Sequence, residues 1–245
     1  MTILGRPILV QKFGGSSLSD TARLEVCADR VVTAIERGYR VAVVVSAMGR
    51  ATDRLLDLAR SLGGDPDPRA LDLLLATGEL ASTAMMAMAL AQRDTRAVPL
   101  GGREAGIRTD PHHGRARILA IDPTRLSDLM SEGVVPVVAG FQGGSSIGEI
   151  TTIGRGGSDT TAVAIAAALE EAQENPARFA ATASLLRAGM APLPVFVASL
   201  KDPVSVATLE HLFDAAPPAV ILNCTAFAVG SPHDGDDGPD NPLTM

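Results

Sequence analysis

Short apolar runs alternate with stretches of helical periodicity along the first two thirds of the chain. Runs at 7–13, 41–47, 97–100, 134–139 and 149–153 read as strands. Between the first two, Leu24, Ala28, Val31 and Ile35 fall on one helical face, and Gly38 closes it. Longer helical patterns cover about 70–92 and 158–173. Strand and helix alternating at this rhythm imply crossover connections, hence an α/β fold with a mostly parallel sheet covered on both faces. Further on, 194–199 and 219–223 read as two more strands with a helix near 204–213 between them. The stretch 231–245 is rich in Gly, Pro and Asp without periodicity and reads as loop.

Composition narrows the class. The chain has 245 residues, of which 46% are hydrophobic but only 3% aromatic, with no Trp, so the core must be aliphatic. A net charge of −7 argues against a nucleic-acid surface. Cys27 and Cys224 are too few and too far apart for a disulfide framework or a zinc site, which suits a reducing compartment. No charged-then-apolar leader opens the chain, and no uninterrupted apolar run reaches membrane-spanning length. The expectation is a soluble, cytoplasmic protein without a membrane partner.

Two segments carry chemistry. "QKFGGSSLSD" ends a strand on Lys12, turns at Gly14–Gly15 and enters a helix near Ser19–Asp20. Glycines let backbone N–H groups approach an anion, a helix N-terminus adds positive potential, and the lysine can neutralise a transferring phosphoryl group. The bland alternative is a plain turn with a surface lysine. "TIGRGGSDTTAV" repeats the logic: Gly154, Gly156 and Gly157 surround Arg155, and Ser158 and Asp159 open an apolar helix. Ser158 or Asp159 could merely cap that helix, but three glycines and an arginine fork exceed what a cap needs.

"LLATGELAST" places Gly78–Glu79 inside a long apolar helical pattern, where an interior glycine costs about 1 kcal/mol relative to alanine. A backbone break or a close approach is expected there. Glu79 could grip an ammonium group or be an ordinary exposed glutamate. Ser46 stands at a strand's C-terminal end, where ligands of open parallel sheets collect. His112–His113 sit in a polar loop without metal-ligand spacing, and no metal-ligating residues are assigned.

Taken together, "VQKFGGSSL", "VAVVVSAMGRATDRLLDLA", "LLATGELAS", "AGIRTDPHHGRARI" and "GEITTIGRGGSDTTAVAIAAAL" resemble aspartate kinase, of the amino-acid kinase superfamily, collinearly over about residues 7–170. The resemblance implies a three-layer sandwich with an open, mostly parallel sheet over residues 1–172. It implies transfer of the γ-phosphoryl group of ATP, with Mg²⁺, to the β-carboxylate of L-aspartate. Lys12 would stabilise the transferring group, with Asp159 organising it. Phe13, Gly14, Gly15 and Ser16 would line the phosphates and Ser46 the nucleotide. Ser17, Glu79, Arg155, Gly156, Gly157 and Ser158 would hold the amino acid.

After Leu169 the family's pattern is left: its nucleotide-gripping loop and its regulatory ACT domains have no counterpart here. Residues 175–243 instead resemble a slice of the cobaltochelatase large subunit, carried by "PLPVFVASLKDP" and "AVILNCTAFAV". Residues 173–230 would form a small α/β segment there, and an exposed sheet edge at the junction would favour homo-oligomers. Three readings stay open: an active aspartate kinase, a truncated relative that binds ligand weakly, and a chelatase-derived interaction module.

Overall fold

The computed structural model of the protein describes residues 6–174 and 219–221. The strand expected at 194–199, the helix at 204–213 and the 231–245 tail lie outside the described residues, as does most of the segment 175–243.

Five parallel strands form the main sheet, in the order β3–β6–β2–β1–β9. They are β1 (Ile8–Phe13), β2 (Arg40–Val45), β3 (Ala97–Leu100), β6 (Val135–Ala139) and β9 (Ala219–Ile221). Alternation decides the layers. Ile8, Val10, Ala42, Val44 and Val138 point to one face and pack under helices α4 (Thr124–Ser131) and α5 (Gly157–Glu174). Leu9, Phe13, Val41, Val43, Val45 and Val137 point to the other, beneath α1 (Thr21–Glu36) and α3 (Pro68–Ala91). Both faces are covered, which is why β1 and β2 read as nearly continuous apolar runs.

A second, four-stranded sheet has the order β5–β4–β7–β8: Ile118–Ile121, Ile107–Thr109, Gln142–Ser145 and Ile150–Thr152. Periodicity alone does not reveal β4, β5 and β7, nor α2 (Ala51–Ser61) and α4. The expected strand at 219–223 exists as β9 and extends the sheet beside β1, with Leu9 opposite Ala219 and Gln11 opposite Ile221.

Helix boundaries follow local chemistry. Asp20 caps α1 by accepting from the Arg23 amide at 2.9 Å. Asp67 caps α3 in the same way toward Ala70, with Pro68 in its first turn. Gly38 ends α1 at a φ of +93°. By length and composition α3 is apolar enough to cross a membrane, although Arg69, Asp72 and Glu79 interrupt its apolar run. It lies instead on the sheet and buries Asp72, Glu79, Ser82 and Thr83 along one side.

Two glycines separate backbone conformation from crowding. An ideal Cβ on Gly38 would meet nothing within 4 Å, whereas one on Gly106 (φ +84°) would fall 2.0 Å from the Asp122 carbonyl oxygen. Gly38→Ala is therefore expected to cost about 1 kcal/mol, the left-handed penalty alone. Gly106→Ala should exceed about 3 kcal/mol, in the range of severe packing errors. Urea unfolding of the two variants checks this; equal losses would show that the Asp122 contact does not constrain the β4–β5 corner.

Candidate functional site

Two of the candidate side chains, Lys12 and Ser46, stand at the C-terminal edge of the parallel sheet, where strands feed loops and helix N-termini. Lys12 is the next-to-last residue of β1 and, by alternation, shares the face of Ile8 and Val10, beneath α5. Its Nζ lies 2.7 Å from Asp159 Oδ1, with the lysine side chain 7% exposed and the aspartate 51%. The surface-lysine alternative is thereby set aside. So is the cap: α5 begins at Gly157, and Asp159 sits in its first turn facing Lys12 rather than ahead of the helix.

Beyond Lys12, Phe13 is fully buried in the core under α1, so only its backbone is available to a ligand. Gly14 leads into a single turn of 3-10 helix, Gly15–Leu18. A Cβ on Gly15 would stand 2.7 Å from the Ala47 carbonyl oxygen, so no side chain fits between this turn and the loop after β2. That loop is tied in by the Ser46 amide donating to Phe13 O at 3.0 Å and the Gly49 amide donating to Gly15 O at 2.9 Å. Ser16 is exposed, while Ser17 is buried with an Oγ that has no partner among the described residues.

Glu79 completes this side. It is 3% exposed, which removes the reading of an ordinary surface glutamate. Its Oε1 accepts from the Ala47 amide at 3.1 Å, and its Oε2 has no partner among the described residues. Burial raises its pKa to about 7, partly opposed by the Ala47 hydrogen bond. Gly78 does not break the helix. Its missing side chain makes room for Ala47, whose Cβ would stand 2.9 Å from a Cβ there. Of the two explanations for an interior glycine, close approach is the correct one.

On the opposite side, Arg155 and Gly156 are exposed, and Arg155 has no hydrogen-bond or ion-pair partner among the described residues. Gly157 and Ser158 are buried. Ser158 packs on Gly140, where a Cβ would lie 2.7 Å from both Ser158 Cβ and Oγ. Phe141 next to it adopts φ +68°, outside the usual range for a non-glycine residue. Its amide donates to Thr161 Oγ1 at 3.2 Å, and its carbonyl accepts from Ile153 at 2.8 Å. The corner is thus over-determined from both sides of the Arg155 loop.

Sequence reasoning missed Gly140–Phe141, Asp72 and His113. Asp72, 1% exposed, accepts from Gly114 N, Thr152 N and Thr152 Oγ1 and faces His113 Nδ1 at 2.8 Å. His113 therefore has firm hydrogen-bond partners in a loop that its sequence marked only as polar and without metal-ligand spacing. An interior aspartate in an otherwise apolar helical pattern was the available signal.

Comparison with known proteins bears on the fold that carries these residues. The sequence model of the amino acid kinase family matches residues 7–173. The aspartokinase of Geobacillus stearothermophilus is 52% identical over 163 residues, which is 66% of this chain and 40% of that protein. Aspartokinase 2 of Bacillus subtilis is 48% identical over the same length. The chain thus spans about 40% of the length of these curated relatives. Among solved structures, the aspartate kinase of Synechocystis superposes with a TM-score of 0.57 at 44% identity, covering 66% of this chain and 27% of that one. E. coli aspartokinase III, in complex with aspartate and ADP, superposes with a TM-score of 0.57 at 28% identity, covering 66% and 47%.

The buried carboxyl yields a test. Because its folded pKa, about 7, exceeds its ordinary 4.5, Glu79 contributes stability that is full below pH 4.5 and lost as pH rises through about 7. Glu79→Gln should flatten that stretch of the stability–pH curve, and carboxyl ¹³C NMR should show one glutamate titrating near pH 7 that vanishes in the variant. A Glu79 signal titrating near 4.5 would contradict the burial argument.

Proposed function

The chain belongs to the amino acid kinase family over residues 7–173, and from that premise we propose that it transfers the γ-phosphoryl group of ATP to the β-carboxylate of L-aspartate, giving 4-phospho-L-aspartate. The observation that carries the reading is Lys12: a buried ammonium at the open end of β1 whose counter-ion, Asp159, is half exposed and can share it with an incoming phosphoryl group. The likeness to E. coli aspartokinase III, described in complex with aspartate and ADP, supports the substrate pair.

Each group takes a role that its surroundings suit. The Gly14–Gly15 turn follows directly on Lys12, where phosphate oxygens would sit, and the Ser17 Oγ, without a partner among the described residues, adds a hydroxyl nearby. Ser46 borders this turn through its bond to Phe13. Glu79 Oε2, buried and without a partner among the described residues, suits the substrate's ammonium group, which would in turn favour the ionised carboxylate. Arg155, exposed and without a partner among the described residues, presents a fork for the substrate's α-carboxylate, with Gly156, Gly157 and Ser158 shaping the wall beside it. Mg²⁺ would accompany the nucleotide within reach of Asp159 and neutralise charge on the phosphate oxygens.

The nucleophile is already a carboxylate, so no general base is needed. One β-carboxylate oxygen bonds to the γ-phosphorus as the bond from that phosphorus to the bridging oxygen breaks, and ADP leaves with the electron pair. Catalysis then consists of positioning and of charge neutralisation by Lys12. The chelatase-like segment supplies no reacting group in this reading. Its described part, β9, extends the sheet beside the strand that carries Lys12.

Coupled ADP release with Mg-ATP and L-aspartate tests the proposal. Turnover should depend on aspartate, and Lys12→Ala should lower kcat by roughly 10²–10³-fold or more, as removal of a transition-state donor does. Turnover that survives Lys12→Ala in a folded variant would refute the assignment.

A further inference from the structure

Away from the reacting groups, four charged side chains interlock between α3 and the Arg155 loop. Asp72 lies about two helical turns before Glu79 on the same face of α3. Its two oxygens take the Gly114 amide at 3.0 and 3.1 Å, the Thr152 amide at 3.0 Å and the Thr152 hydroxyl at 2.6 Å. Thr152 ends β8 and leads directly into Ile153–Gly154–Arg155. Its carbonyl accepts from the Ala116 amide at 2.8 Å, and Gly114 O sits 3.4 Å from the site of a Cβ on Gly154. One buried carboxylate thus joins the helix of Glu79, the 110–114 loop and the strand that launches Arg155.

His113 closes the cluster. Its Nδ1 lies 2.8 Å from Asp72 Oδ2 and its Nε2 lies 3.3 Å from Glu149 Oε2, while Glu149 Oε1 is 2.5 Å from Arg69 on α3. Ionised carboxylates only accept hydrogen bonds, so the ring satisfies both partners only when both of its nitrogens carry protons. The charges then balance: two carboxylates, one imidazolium and one guanidinium. The other charged groups of the loop are Asp110, paired with His112 at 3.2 Å, and the exposed Arg115 and Arg117.

We propose that Asp72 and His113 are positioning residues for the amino-acid half of the site: the imidazolium of His113, bridging Asp72 and Glu149, latches the 110–114 loop and β8 to α3 and so fixes the Arg155 loop relative to Glu79. This rests on the kinase reading above and extends it to residues that touch no substrate. The Asp72 bond, and after it Glu149, raises the His113 pKa against the opposing effect of burial. A raised histidine pKa means that the latch is complete below the ordinary value near 6.5 and is lost as pH rises through the elevated one. Glu79 gains its charge as pH rises through about 7. The pH profile of kcat/KM for aspartate should therefore rise with Glu79 and fall with His113.

His113→Gln in the full chain tests this, since the amide keeps a donor but cannot carry charge. Hydrogen exchange at the Gly114 and Thr152 amides should speed up in the variant. KM for aspartate should rise roughly tenfold or more, with kcat and KM for ATP nearly unchanged, and the falling limb of the aspartate profile should disappear. Unchanged exchange would overturn the latch; faster exchange with an unchanged KM for aspartate would overturn its positioning role. A parent chain without aspartate-dependent turnover would sink the kinase reading instead. Calorimetric aspartate binding would then replace KM in the same comparison: weaker binding in the variant supports the positioning role, and unchanged binding overturns it.

Discussion

The ion pair between Lys12 and Asp159 sets the arrangement of this molecule. An ammonium at the end of a buried central strand loses most of its hydration, and that cost is tolerable only beside a counter-charge. The first turn of α5 must therefore sit over the C-terminal end of β1, which fixes where the Gly154–Gly157 loop can go. Asp159 remains half exposed. The lysine is shielded while its partner stays open to solvent, so the ammonium could also meet an anionic ligand. Ser46 and Gly140 stand at the same sheet edge because the parallel strands β2 and β6 end there, whereas Glu79 is brought in by α3 and Arg155 by the second sheet.

Helix α3 is the second organiser. It carries Asp72 and Glu79 on one buried side, and each reaches a different loop: Asp72 the strand leading to Arg155, Glu79 the turn after β2. The Ala47 backbone lies at the crossing point. It donates its amide to Glu79, its methyl group occupies the space left by Gly78, and its carbonyl bars any side chain at Gly15. The two halves of the site are thus referenced to one helix, so a shift of α3 would alter both.

Much of this was legible in the sequence where the cause is local. β1, β2 and β6 are apolar because both sheet faces are covered, and their expected bounds lie within about two residues of the structure. Lys12, Gly14–Gly15 and the Arg155 loop announced themselves through glycine spacing next to charge. The rest depends on contacts distant in the chain. β7 reads "QGGS" and has no strand signature; it exists because β4 and β8 flank it. α4 spans only eight residues, and α2 buries only Ala59, so neither declares itself as a core helix. The burial of Glu79 and the partners of His113 come from segments 32 to 41 residues away, which no window of local pattern can contain.

The central claim is that this sheet edge carries phosphoryl transfer from ATP to a carboxylate, and trapping the product tests it most directly. With hydroxylamine present, an acyl phosphate is converted to the hydroxamate. The account predicts that aspartyl hydroxamate accumulates only when the protein, Mg-ATP and L-aspartate are all together, in step with the ADP released. ADP released without hydroxamate would mean that water rather than the aspartate carboxylate receives the phosphoryl group, and would contradict the account.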